Sequence, residues 1–292
     1  MVNDCRVSQA RRAFVLAVGL AAASFIVMPT ADASEGTRWQ QGYHNATRML
    51  VGARPSATGT DLVAGLAIRL DPEWKTYWKA PGNAGGIPPL FDFSKSENVA
   101  DAKVFYPMPN RYVDETGTTL GYKDLVVFPV RVTPRDPARP VKLDAQMMFG
   151  VCKTICIPAE ARHAATFTVA DVRVFPPALA KSFAAIPETQ AFGETGSPKL
   201  GVTAVRFADG KRDTLVVDVE HGKGADDFEA FIAPPTGTMF ERINRRAAGA
   251  ERTRFTMTLP GWIPADSLPG KAFSVALKAD GIQREVSLRV PK

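Results

Sequence analysis

Cysteine is nearly absent from this chain. Its 292 residues include Cys5, Cys152 and Cys156. Cys5 lies in a segment that reads as a targeting signal, so one close pair remains. Two thiols exclude a disulfide-rich scaffold and a four-cysteine zinc site. Histidine is as scarce: His44, His163 and His221 are scattered, and none sits in a recognisable nucleophile motif. There is no Gly-x-Ser-x-Gly, no His-Glu-x-x-His and no phosphate loop. The run Gly82-Asn83-Ala84-Gly85-Gly86 is followed by prolines instead of a helix, which makes it a loop. Blocks of lysine or arginine that track phosphates are missing too, so nucleic acid is not an expected partner. No metal and no dissociable cofactor is expected.

Past the N-terminus, no stretch is long and apolar enough to cross a membrane. Residues 1–33 read as a cleaved signal peptide. Arg6, Arg11 and Arg12 form the basic region, Ala13 to Met28 the apolar core, and Ala31-Asp32-Ala33 the small-x-small cleavage pattern, with cleavage after Ala33. The apolar run falls short of the ~20 residues a span needs. Arg11-Arg12 also loosely resembles a twin-arginine signal. Removing three arginines and two aspartates takes the formal charge from +6 to +5, a mild basic excess. The expected mature protein is exported, soluble and monomeric, in a compartment where disulfides persist.

What is present in quantity is alternation. Leu62, Ala64, Leu66, Ile68 and Leu70 alternate as a half-buried strand does. Val126, Phe128, Val130 and Val132 repeat the pattern, and so do Leu143, Ala145, Met147 and Phe149 just before the cysteines. Proline and glycine clusters separate these runs, with almost no helical periodicity between them. The fold class expected is all-β, with a sandwich at 34–172. Residues 173–198 hold Pro176-Pro177, a helical spacing over Ala178–Ile186, and Pro187, Gly193, Gly196 and Pro198; this reads as a partly helical linker. Strand patterns resume at Leu200–Phe207, Leu215–Val219, Phe228–Ile232, Phe255–Leu259, Phe273–Leu277 and Val286–Val290. They predict a second sandwich at 199–292.

Cys152 and Cys156 then carry the chemistry. A bridge between them closes a loop of ~5 residues and contributes ~2 kcal/mol by chain entropy, against ~3 kcal/mol for a 15-residue loop. The pair follows an alternating strand directly and precedes Pro158, which places it at a strand end or tight turn near the surface. Bridges of that kind are accessible and reducible. Spacing alone leaves redox exchange and a local structural bridge open. Met147, Met148 and His163 add soft ligands that would suit Cu(I). However, adjacent methionines in a strand point to opposite faces, and a lone histidine past Pro158 reads as a surface side chain.

The run from Gly150 to Glu160 resembles the cysteine segment of the N-terminal periplasmic domain of DsbD-type thiol:disulfide reductases, nearest the ScsB-like branch. Trp74-Lys75-Thr76-Tyr77-Trp78-Lys79 resembles that domain's aromatic strand. Tyr106-Pro107 and Leu120 through Val130 resemble the approach to its central strand. The resemblance covers Arg48 to Val169. It implies immunoglobulin-like sandwiches and a module that passes electrons through Cys152 and Cys156, with Cys156 engaged first. It places a cap loop at Val113-Asp114-Glu115-Thr116-Gly117-Thr118 and site-flanking aromatics at Tyr77, Trp78 and Tyr122. Alternation lets only one of Tyr77 and Trp78 border the site. The family continues into a membrane domain and a thioredoxin-like domain, and neither is expected in a chain read as ending at Lys292. A separate DsbD/CcdA-like membrane donor and periplasmic thioredoxin-fold acceptors are therefore the expected partners. The competing expectations are a non-enzymatic exported adaptor with a structural disulfide and a copper-handling protein.

Overall fold

Strands form where side chains alternate and end where proline or glycine interrupts the ladder. The structure, a computed structural model, describes residues 36–56, 59–115, 117–168, 172, 175–223 and 227–292. The expected signal peptide, its cleavage site and Cys5 lie outside the described residues. The first half contributes β1 (Gln40–Gln41), β2 (Asn45–Ser56), β3 (Gly59–Leu70), β4 (Lys75–Tyr77), β5 (Leu90–Asp92) and β6 (Val99–Val104). It continues with β7 (Asn110–Asp114), β8 (Gly117–Lys123), β9 (Leu125–Pro134), β10 (Val141–Cys152) and β11 (Cys156–Phe167). One sheet runs β1-β2-β3-β9-β6 and the other β11-β10-β4-β8-β7, with β5 added against β10. Leu66, Ile68, Phe128, Leu143, Met147 and Phe149 meet between the sheets in one core. Each such side chain contributes ~1.5–3 kcal/mol by leaving water.

One strand is buried more fully than its alternation implies. β3 was expected to be half-buried, yet Val63 and Ala67, on its other face, are buried as well. The reason is α1 (Pro177–Ala184), whose Leu179 packs on Leu50, Val63, Ala67 and Val127. Pro177 starts this helix at the position where a missing N–H costs nothing, and Ser182 donates to the Val127 carbonyl. Much of the expected linker is therefore docked on the first sandwich.

The second half contributes β12 (Glu188–Gln190), β13 (Leu200–Ala208), β14 (Lys211–His221), β15 (Glu229–Ala233) and β16 (Arg242–Ala247). β17 (Arg252–Thr258), β18 (Ala272–Ala279) and β19 (Ile282–Arg289) complete it. Its sheets run β12-β19-β18-β15 and β13-β14-β17-β16. They enclose a core of their own that includes Val202, Val217, Met257, Val275 and Leu277. The protein is all-β apart from its short helical turns, with two immunoglobulin-like sandwiches. β16 escapes a reading by alternation because every residue in it is exposed.

The sandwiches touch through specific contacts. Trp78 meets Phe231 edge-on at 6.4 Å between ring centroids, and Phe231, Ala233 and Ala276 extend the first core into the second half. Lys79 pairs with Glu285. The Arg111 guanidinium donates to the Ala230 carbonyl at 2.7 Å. Among the described residues, no helix is long and apolar enough to cross a membrane.

Candidate functional site

The β10–β11 hairpin carries the cysteines. Its ladder runs in unbroken register from Val141↔Phe167 to Cys152↔Cys156, so the two cysteines face each other across the last rung. They form a disulfide, and Lys153-Thr154-Ile155 makes the turn beyond it, closed by the Lys153 amide donating to the Ile155 carbonyl at 3.1 Å. A bridge at the end of a full ladder constrains chain ends that backbone hydrogen bonds already hold together. As a staple it adds little. The two cysteines also differ in access: Cys152 is 3% exposed, whereas Cys156 is an exposed residue beside Ile155, itself 64% exposed.

β4 is hydrogen-bonded between β10 and β8. Lys75 stands opposite Cys152 on one side and Lys123 on the other, and Tyr77 stands opposite Gly121. Paired residues share a face, so Lys75 and Tyr77 lie on the cysteine face. The Tyr77 hydroxyl donates to the Cys152 sulfur at 2.9 Å and lies 3.4 Å from the Cys156 sulfur. Trp78, one residue on, turns into the core.

Tyr77 lies on the outward face of its sheet and is nevertheless buried. Two glycines and a loop explain this. Its ring lies over Gly150, where an added Cβ would come within 2.9 Å of the ring edge. On the other side Gly86 closes down; a side chain there would overlap the ring, and its φ of +142° suits glycine. The Gly150 amide donates to the Ile87 carbonyl at 3.0 Å, which fixes the loop onto β10. The glycine run that reads as a plain connection in the sequence is the wall of the Tyr77 pocket. Burial pushes the Tyr77 hydroxyl pKa up, and the Asp114 carboxylate adds to the shift. The hydroxyl therefore keeps its proton at neutral pH and is available as a donor.

Residues 46–168 match the family model described as thiol:disulfide interchange protein DsbD, N-terminal. The first sandwich is a DsbD N-terminal domain. The protein is also similar to the solved N-terminal periplasmic domain of ScsB from Proteus mirabilis, with 22% identity and a TM-score of 0.66. That match covers 89% of this chain and 99% of the other, so the likeness in fold includes the second sandwich. No curated protein matches the chain.

Within the DsbD N-terminal domain, the segment expected to cap the site is the β7–β8 hairpin. Asp114 faces Gly117 at its end, Glu115 is exposed in the turn, and Thr116 lies outside the described residues. The hairpin is tied to the site through the Asp114 carboxylate, which accepts from the Lys75 ammonium at 2.9 Å. It is tied to the glycine loop through the Thr118 amide, which donates to Asn83 Oδ1 at 2.8 Å. Tyr122 is elsewhere. Its side chain is in the core, its ring edge-on to Phe128 at 5.6 Å and its hydroxyl donating to the Pro107 carbonyl at 2.7 Å. The Lys153-Thr154-Ile155 turn of the cysteine hairpin carries an ion pair from Lys153 to Glu73. Lys75, Gly86, Gly150 and Asn83 were not singled out from the sequence. Their signals, a lysine inside an aromatic strand and glycines at pairing positions, acquire meaning only when the strands are assembled.

The soft ligands do not converge on the sulfurs. Met147 is fully buried in the core, and Met148 points the other way, 37% exposed. His163, expected at the surface, is buried. One ring nitrogen lies 3.1 Å from the Thr37 hydroxyl and the other 2.9 Å from the Thr47 hydroxyl. It sits opposite Ala145 on the core side of the sheet, where it joins β11 to β2. Burial lowers its pKa.

Proposed function

We propose that this protein is a periplasmic thiol-disulfide exchange module, a protein-disulfide reductase that carries two electrons on Cys152 and Cys156. The observation that supports this most directly is the hydroxyl of Tyr77 at hydrogen-bond distance from the Cys152 sulfur, with the bridge's other residue, Cys156, exposed. A structural bridge needs neither feature. Export by the N-terminal signal and action in the periplasm go with this reading.

The chemistry follows from access. A thiolate of a membrane-bound donor attacks the sulfur of Cys156, the exposed residue. The Cys152–Cys156 bond breaks, a mixed disulfide forms, and the electron pair of the broken bond stays on Cys152 as a thiolate. Tyr77 is already placed to donate to that sulfur, and hydrogen bonds to charged groups contribute ~1.5–3 kcal/mol. The donor's second thiol then attacks its own sulfur in the mixed disulfide. This releases Cys156 as a thiol and oxidises the donor. In the second half, Cys156 attacks the disulfide of a thioredoxin-fold acceptor, and Cys152 resolves the mixed disulfide. The acceptor leaves reduced and the Cys152–Cys156 bond is restored. Ile155 offers the partner an apolar contact next to the reacting sulfur. The β7–β8 hairpin, held by Lys75 and Asn83, acts as the cap that limits access.

Equilibration of the folded protein in defined thiol buffers tests the reading. A reduction potential on the order of −180 to −270 mV supports exchange, and one well below about −300 mV marks a structural bridge. Trapping gives an asymmetric expectation. Cys152→Ser, which leaves the exposed cysteine, should accumulate a mixed disulfide with a thioredoxin-fold protein. Cys156→Ser, which leaves the buried one, should do so poorly. Equal trapping by both variants would contradict the assignment of Cys156 as the attacked sulfur.

A further inference from the structure

We propose that the cleft between the two sandwiches is a docking groove for an extended, acidic segment of a redox partner. The inference depends on the exchange reading only for whose segment it is. The argument begins at β16. Among the described residues this strand pairs with β17 alone, and its other edge carries no strand. Its register sets Ile243 opposite Met257 and Arg245 opposite Phe255. Met257 and Phe255 belong to the core, so Ile243 and Arg245 are on the inward face of the sandwich. Both are nonetheless exposed, Ile243 by 44%. The second sandwich is open along this side.

The opening faces the first sandwich. A cleft of ≈310 Å³ lies between Ile232, Ile243 and Phe255 on one wall and Gly82 and Leu120 on the other. A second cleft of ≈230 Å³ continues it past Met239 and Phe240 to Gly85 and Gly86. The floor is apolar. Arg245 lines it from the inward face, over the Phe228 ring at 5.0 Å, and Arg111 at the rim spends its charge on Glu229 at 3.6 Å. Arg242 and Arg246 carry positive charge on the outer face of the same strand, and among the described residues no carboxylate pairs with any of the three arginines of β16. Arginine on an edge strand can serve only to discourage aggregation. That role asks for charge on the solvent face, and here Arg245 sits on the inward face beside Ile243.

An uncovered apolar floor, a basic strand and its unpaired edge together fit one kind of occupant. It is an extended peptide that adds to β16, with apolar side chains inward toward Ile243 and Phe255 and alternate carboxylates on the outer face toward Arg242 and Arg246. The position matters for the cysteines. Gly86 lines this groove and also closes over the Tyr77 ring, so an occupant presses on the loop that braces the site.

The test uses the full oxidised chain and a fluorescein-labelled peptide of about eight alternating glutamates and valines, a length that matches a typical strand. The peptide lacks cysteine, so its binding involves no redox step and a failure of the exchange reading leaves the result intact. Fluorescence anisotropy should show saturable binding that weakens with salt. Arg245→Glu and Ile243→Glu should each weaken it about tenfold or more, and Lys271→Glu, on an exposed residue away from the groove, should leave it unchanged. A lysine-valine peptide binding as well as the acidic one would overturn the proposal. So would Arg245→Glu and Ile243→Glu variants that keep wild-type affinity while melting as the parent does. Self-association of the chain that Ile243→Glu abolishes would also overturn it, by making the occupant a second copy.

Discussion

Tyr77 reaches the sulfurs because the pairing of Lys75 with Cys152 puts alternate residues of β4, Lys75 and Tyr77, on the cysteine face of the sheet. The consequence is chemical. Tyr77→Phe keeps the ring between Gly86 and Gly150 and removes only the donor, so the melting temperature should stay within a few degrees of the parent. In the reduced protein the Cys152 thiolate would lose its hydrogen bond, and the Cys152 thiol pKa should rise by about one unit. Thiolate ultraviolet absorbance against pH measures it; an unchanged titration would remove Tyr77 from the mechanism. His163 provides a second test at this scale. Its folded-state pKa is lowered by burial, so below the ordinary histidine value of ~6.5 the unfolded chain takes up a proton that the folded state resists. The stability from neutral His163 is thus present above that pH and is lost as pH falls toward the folded-state pKa. Thermal melts should show a decline between about pH 7 and 5 that is shallower in His163→Gln.

Two hairpins and a loop make up the site at the scale of elements. β10–β11 presents the disulfide, β7–β8 stands two strands away, and the 81–89 loop lies over the strand between them. Lys75 to Asp114 and Asn83 to Thr118 are the polar ties that hold the second hairpin in this arrangement. Asp114→Asn keeps an oxygen that can accept from Lys75 and removes the negative charge opposite that buried ammonium. The expected outcome is faster reduction of Cys152–Cys156 by dithiothreitol, with a lowered melting temperature but a cooperative unfolding transition. A reduction rate equal to the parent's would mean that the hairpin does not restrict access. Parts of this scale were readable in the chain. The cysteines, the alternation leading to them and the tyrosine-tryptophan step are local patterns. The bracing of Tyr77 was not readable, because Gly86 and Gly150 lie far apart in sequence and meet only across its ring. β16 was not readable either: alternation reports a covered face, and β16 has none.

At the scale of the molecule, the two sandwiches share Phe231, which sits at the end of the first core and against Trp78. Together with the Lys79–Glu285 and Arg111–Ala230 contacts it should make unfolding cooperative across both. Phe231→Ala should cost ~3–5 kcal/mol and split one calorimetric transition into two. A single transition shifted down as a whole would place the coupling elsewhere, with the docked helix as the remaining connection.

The chain by itself determined the β class, the strand runs that the turn residues separate and the identity of the one close cysteine pair. These depend on neighbours in sequence: alternation with period two, turn residues between runs, and a spacing of four. Tertiary structure decided which cysteine faces solvent, which aromatic touches sulfur, that β3 is covered on both faces, and that His163 is buried. Each of these depends on what packs against a residue from a distant part of the chain, and a side chain's neighbours across a sheet leave no periodic trace in its own segment.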